Sequence, residues 1–316
     1  MKHSQTNTDV AGVDIGKFKL DIALAKSDEH RVIANKTEAF AELIHWLQSH
    51  GVVRVGMEAS GNYERDVREA LEKAGLEVIV HQPQEIKAYA RFRRVWAKAD
   101  KTDARIIAEA TQHYEGIVAR RDPDLVELAE MLTAYEHFAD LVAQTKIVAE
   151  HQRLRSVKAL NAATLKHLTL QKKKILAAIL KRIQSRPDLR HKFELLQSLP
   201  GIGPVIAAVL VVRMPELGHL EHGQAASLLG VAPFDRDSGT VIGKRFIRAG
   251  RQRPRDFVYL AAIAAKRMAT PFKTFADRLL SNGKPPKVAI VAVMRKLIEL
   301  ANLVLKRQTP WTQEYA

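Results

Sequence analysis

From Asp124 to Arg186 the chain runs 63 residues without a glycine or a proline. Leu, Ala, Glu, Lys and Gln dominate the stretch, and these lose little conformational freedom in a helix. Leu125, Leu128, Leu132, Tyr135, Ala139 and Val142 recur at spacings of three and four, which places them along one stripe of a helix. A helix this long does not bury such a stripe alone. The segment therefore predicts an arm over 124–186, folded back as a helical hairpin or paired as a coiled coil within the chain or with a second subunit. It turns basic at Lys172, Lys173 and Lys174 and stops at Pro187.

The chain ahead of the arm has a different period. Residues 9–34 hold three short runs, "DVAGVDIG", "FKLDIALA" with alternating apolar positions, and "HRVIAN", which predict an antiparallel meander. Then follow a helix over 38–50, a strand "VVRVGME", a helix over 63–74 stopped by Gly75, a strand "LEVIVH" and a helix from Pro83. A meander followed by alternating helix and strand is the element order of an RNase H-like α/β domain, here 9–115. Beyond the arm, 190–306 predicts a mostly α domain with helices at 223–229, 254–270 and 287–306. It opens on "LLQSLPGIGPVIAAVLV". Gly201 and Gly203 between two apolar helices match a helix-hairpin-helix, whose backbone N–H groups can face a DNA phosphate; an ordinary helical turn uses the same glycines.

Charge follows the same division. Residues 1–150 hold 20 Lys+Arg against 25 Asp+Glu, and residues 151–316 hold 30 against 10. A local excess of that size suits neutralising nucleic-acid phosphates, although a solvated basic face would look the same. Cysteine is absent, which excludes disulfides, thiolate metal sites and a cysteine nucleophile. The first residues lack the apolar core of a signal peptide, and no run of about 18 apolar residues could span a bilayer. The expectation is a cytoplasmic protein with no membrane partner.

Four carboxylates stand out by position. Asp14 lies near the end of the first strand and Glu58 closes the strand expected beside it; Asp100 and Asp103, three apart in "KADKTDARIIAEA", share a helix face. Together they can hold two Mg²⁺ ions about 4 Å apart, the spacing that serves phosphoryl transfer. Each also has an ordinary explanation: Asp14 as a turn residue before Gly16, Glu58 as a cap of the helix near Asn62, and the aspartates as favourable charges in a first helical turn. A "DIG" after a strand also occurs in sugar kinases of the actin type, but those need a second glycine-rich phosphate loop that is missing here.

Far downstream, "PFDRDSGTVIGKRFIRAGRQRPR" sets Ser238 between acidic residues and the cations Lys244, Arg245, Arg248, Arg251, Arg253 and Arg255. Asp237, Ser238 and Gly239 are good turn formers, and a hydroxyl over a phosphate is also a potential nucleophile.

Taken in order, "GVDIGKFKLDIAL", "GMEASGNYERDV", "KADKTDARIIAEA", "LPGIGPVIAAVL" and "LLGVAPFDRDSGTVIGKRFIRAGR" resemble the transposases of the IS110 insertion-sequence family, DEDD recombinases with a RuvC-like N-terminal domain. The resemblance covers roughly 9–112 and 190–305. It implies that Asp14, Glu58, Asp100 and Asp103 are the metal-binding tetrad and that Ser238 is a nucleophile forming a 5′-phosphoserine link to DNA. It further implies strand exchange between donor and target duplexes, a structured non-coding guide RNA, a dimer or tetramer, and a nucleoid-associated protein of a bacterium or archaeon. Arg153, Arg155, Lys158 and Lys172 to Lys174 on the arm are then expected to lie along RNA or DNA backbone. Two other functions remain open at this stage: a RuvC-like junction resolvase that cuts with water, and a nucleic-acid binder without chemistry.

Overall fold

The computed structural model describes residues 9–61, 63–95, 100–115, 122–234, 245–268 and 271–313. The chain divides into two compact units, Met1–Arg120 and Arg121–Ala316.

Unit 1 is a mixed sheet with helices on both faces. Its elements are β1 (Asp9–Ile15), β2 (Lys19–Leu24), β3 (His30–Ala34), α1 (Thr37–Ser49), β4 (Val52–Glu58), α2 (Arg65–Lys73), β5 (Glu77–His81), α3 (Pro83–Phe92) and α4 (Asp100–Gln112). The strands lie in the order β3-β2-β1-β4-β5, antiparallel from β3 to β1 and parallel from β1 to β5. Alternate residues of the central strands face opposite ways. Ala11, Val13, Val55 and Met57 meet Phe40, Leu43 and Leu47 of α1 and Val67 and Leu71 of α2 in one core. The residues between them, Gly12 and Gly56, face α4.

Unit 2 is helical: α5 (Pro123–Glu150), α6 (Arg155–Ser185), α7 (Pro187–Gln197), α8 (Pro204–Arg213), α9 (Gln224–Leu229), then a short ribbon of β6 (Pro233–Phe234) and β7 (Phe246–Ile247), then α10 (Gln252–Arg267), α11 (Pro271–Ser281) and α12 (Pro286–Arg307). Helix α8, "PVIAAVLVVR", is apolar all round and lies inside, its six residues from Ala207 to Val212 all buried. The glycine- and proline-free segment doubles back at 151–154 into the hairpin α5/α6. Leu128, Leu132 and Tyr135 of α5 and Ile179 and Ile183 of α6 join the unit 2 core at its root. There Arg186 also donates to Asp122, Asp124 and Asp188. Toward the turn, Ile147, Val148, Leu154 and Leu160 are exposed. Among the described residues no helix is long and apolar enough to cross a membrane.

Helix α11 and the ribbon β6/β7 fill stretches to which no element was assigned, and the helix read from Pro83 ends at Phe92, with α4 beginning at Asp100. Arg94, in the left-handed conformation at φ 56°, ends the α3 turn.

Candidate catalytic site

The sheet of unit 1 carries one row of polar residues across four strands. Asp14 of β1 pairs with Asp21 of β2, and Glu58 of β4 pairs with His81 of β5. Strands β1 and β4 run parallel in register up to Val13 and Met57, so the next residues, Asp14 and Glu58, stand side by side. Adjacent strands are about 4.8 Å apart, which is the spacing of the two carboxylate-bearing Cα atoms to a first approximation. Asp14 is thus a strand residue and no turn former, and Glu58 caps nothing: the residue before α2 is Glu64, whose carboxylate accepts from the Ser60 amide and hydroxyl.

Helix α4 lies over this same face because two glycines permit it. A Cβ on Gly12 would overlap the backbone of Ala104 and Ala108, and one on Gly56 would overlap the Thr111 side chain. Gly12 and Gly56 are themselves register partners. They form a flat strip that lets α4 approach to backbone contact, with its N-terminal turn toward Asp14 and Glu58. Asp103, one residue from the Gly12 contact, is thereby brought to Glu58: burial raises the Glu58 carboxyl above its ordinary pKa, with Lys87 of α3 pulling it down and the negative charge of Asp103 pushing it up. Asp100 begins α4, and its side chain lies outside the described residues.

Sequence reasoning missed the ends of the row. Asp21 is buried and paired with Lys19 at 3.1 Å, with the His30 ring at 3.3 Å. His81 is buried, and its imidazole pKa is lowered by that burial, partly offset by Glu85. Thr111 donates its hydroxyl proton to the Ile107 carbonyl at 2.6 Å, so its oxygen accepts from His81 Nε2–H at 2.8 Å. This fixes the Nε2-protonated tautomer and ties β5 to α4 beside the carboxylates. The signal in the sequence was a histidine at a strand end, one residue past "EVIV", the place where Glu58 ends its own strand.

The donor set suits a hard divalent cation: oxygen ligands and like charges held close, with Lys87 nearby. Among the described residues, however, no group of three or more His, Asp or Glu is near enough to surround a metal ion.

In unit 2, Ser238 and Lys244 lie outside the described residues. Their flanks pair: Pro233 opposes Ile247 and Phe234 opposes Phe246. The arginines that follow serve different ends. Arg251 grips Glu216 through both carboxylate oxygens, at 2.6 and 2.7 Å, and also donates to the Arg213 carbonyl. Burial would raise the Glu216 pKa, but the Arg251 guanidinium holds it below its ordinary value. Arg255 donates to the carbonyls of Ala249 and Gly230, and Arg253 reaches the buried Glu136, which Arg213 also pairs. Arg245 and Arg248 are exposed.

The helix-hairpin-helix glycines also divide. Gly201, at φ 84°, presses against the Ala261 carbonyl of α10, so packing accounts for it. Gly203 precedes α8 with open space around it. On the arm, Arg153, Arg155, Lys158, Lys173 and Lys174 are exposed and Lys172 is half-buried.

Residues 11–161 match the family model of the IS110 DEDD type, described as "Transposase", and residues 193–277 match one described as "Transposase IS116/IS110/IS902 family". The pilin gene-inverting proteins of Moraxella bovis and Moraxella lacunata are each 24% identical over 315 residues, covering 95% of this chain and 96% of their own length. The insertion element IS116 uncharacterized 44.8 kDa protein of Streptomyces clavuligerus is 29% identical over 122 residues, 38% of this chain and 30% of its own.

Proposed function

Because the chain belongs to the IS110 family of transposases, enzymes of DNA recombination, we propose that it cuts and rejoins DNA strands with Ser238 as nucleophile and with a carboxylate site built from Asp14, Glu58, Asp100 and Asp103. The observation that carries the proposal is the packing of α4 on Gly12 and Gly56, which brings Asp103 to the paired strand ends of Asp14 and Glu58. We assign unit 1 to the RNase H-like, RuvC-like fold; the order β3-β2-β1-β4-β5 with β2 alone antiparallel to its neighbours supports the assignment. The working division is a catalytic domain over 9–115, the helical arm over 124–186 and a serine-bearing domain over 190–306.

The four carboxylates would hold Mg²⁺, which supplies charge neutralisation and polarisation of the phosphoryl oxygens during displacement. The negative charge of Asp103 beside Glu58 supports this. The Ser238 hydroxyl attacks the scissile phosphorus, forming the Oγ–P bond as the P–O3′ bond breaks. The serine proton passes to a base or to solvent, and the departing 3′ oxygen gains a proton. The resulting 5′-phosphoserine retains a reactive phosphodiester for joining to a new 3′ hydroxyl, so no further energy source is needed. Arg245 and Arg248 flank the serine segment and would neutralise the phosphates around it; Gly203 at the start of α8 offers a backbone contact to phosphate. The inversion activity named for the Moraxella relatives fits an exchange of two strands at defined sites.

The exposed cations of the arm, from Arg153 to Lys174, fit a structured guide RNA or the donor and target DNA backbone. The exposed Ile147, Val148, Leu154 and Leu160 at its turn fit association of subunits as a dimer or tetramer. The test is a denaturing gel of the protein with Mg²⁺, labelled DNA from the element's ends and RNA from its non-coding flank. A labelled covalent adduct lost in Ser238→Ala is expected. Metal-dependent cutting without an adduct would replace serine attack by attack of water.

A further inference from the structure

The ribbon β6/β7 is apolar and partly exposed. Phe234 and Phe246, directly opposed across its two strands, are 43% and 57% exposed, and Ile247 on the other face is 41% exposed. A hairpin normally buries one face against a core, and a ribbon of two residues per strand gains little from its own pairing. Here the root does the anchoring. Gly230 and Gly250 meet backbone to backbone, Arg255 bonds the Ala249 and Gly230 carbonyls, and Arg251 is clamped by Glu216. Ala249 holds a left-handed backbone at φ 58° to make this turn. Two phenyl rings are therefore presented on a rigid base.

The surroundings state what these rings are for. Residues 245–255 contain five arginines and no acidic residue. Of the five, Arg245 and Arg248 border the ribbon and are exposed. Aromatic faces set among arginines are the makeup of a platform on which unpaired bases stack while the cations follow the phosphates. A subunit interface would call for acidic or neutral polar groups at the rim of such a patch; the described rim is cationic.

We propose that Phe234 and Phe246 form a stacking platform for unpaired DNA bases, holding the strand that meets them unstacked. This rests on the assignment of the chain to DNA recombination, and it adds a base-contacting surface to it. An unstacked strand can swing from its old partner to its new one, which strand exchange requires.

The test uses the full chain without divalent ions, so nothing is cleaved, and a 12-nucleotide single-stranded DNA bearing 2-aminopurine at its centre. Native protein is expected to bind the probe and quench its fluorescence by stacking. The double variant Phe234→Leu/Phe246→Leu keeps the apolar bulk and the melting temperature but loses the π-faces. It should bind about tenfold or more weaker, the loss expected for about one stacked base, and quench little. Phe234→Tyr/Phe246→Tyr should restore both. Native quenching in the leucine variant overturns the proposal. So does an equal loss on the RNA version of the probe, which assigns the rings to RNA, or a change of oligomeric mass without loss of quenching, which assigns them to a second copy. Neither readout involves Ser238, so failure of the serine chemistry leaves this test intact, and failure here leaves the adduct assay standing.

Discussion

The acidic row of unit 1 and the arginine run of unit 2 are both dense in charge of one sign, and the fold treats them oppositely. In unit 1 the flanking Asp21 pairs with Lys19, while Glu58 faces Asp103 with Lys87, among the described residues, to offset it. In unit 2 Arg251, Arg253 and Arg255 are each occupied by Glu216, Glu136 or backbone carbonyls. Under-compensated charge marks a place prepared for a ligand of opposite sign; compensated charge marks architecture. The two units carry 18 Lys+Arg against 18 Asp+Glu, and 32 against 17, so the whole net charge of +15 belongs to unit 2. Its internal ion pairs mean that a count of cations overstates the number available to phosphate.

The largest effect that would break this contrast is chemical. Asp103→Asn or Glu58→Gln should lower adduct formation by at least ~100-fold, the scale of removing one preorganised electrostatic group from a reacting centre. Glu58→Gln should also leave unit 1 as stable or more so without metal, because it removes a charge that burial and Asp103 disfavour. A variant that melts lower while retaining activity would make Glu58 structural. Next comes Gly56→Val, which must push Thr111 and with it α4. A cost of about 1–3 kcal/mol in chemical denaturation is expected, with activity falling beyond what the unfolded fraction explains. An activity that tracks only the folded fraction would mean that the position of α4 is unimportant.

Within unit 2 the contrast can be sharpened one arginine at a time. Arg251→Ala should destabilise the unit by about 1–2 kcal/mol, since a charged two-point hydrogen bond is lost at a partly exposed site. Arg248→Ala should leave the melting temperature unchanged and reduce the slope of log affinity for DNA against log salt by about 1. The reverse pattern would exchange the two roles.

How much of this could be read beforehand depended on how local the signal was. The alternation in 9–34, the glycine stop at Gly75 and the glycine- and proline-free run mark their elements because each signal lies inside the element it specifies. Asp14 and Glu58 were legible as strand-end carboxylates for the same reason. The roles of Asp21 and His81 were not, since they arise from register across strands up to 60 residues apart. The partner of Arg251 lies 35 residues upstream, which no local pattern reports. Strands of two residues, as in β6 and β7, carry no period at all, and Pro271 at the first position of α11 was hidden by its equal fitness to end the helix before it.

The smallest expected effect concerns the far end of the acidic row. Burial favours the neutral imidazole of His81, so its folded pKa lies below the ordinary 6.5. Between the two values the unfolded chain binds a proton that the folded chain does not, and stability must fall as pH drops through 6.5. The contribution is fully present above that pH and concerns at most one proton. In His81→Gln the amide N–H can still donate to Thr111, so the packing of β5 on α4 should survive while this part of the pH dependence disappears. Denaturant unfolding of native and variant protein from pH 8 to pH 5 measures the difference in slope. Equal slopes would mean that His81 charges freely in the folded unit, and that the imidazolium keeps its Nε2–H bond to Thr111 without cost from burial.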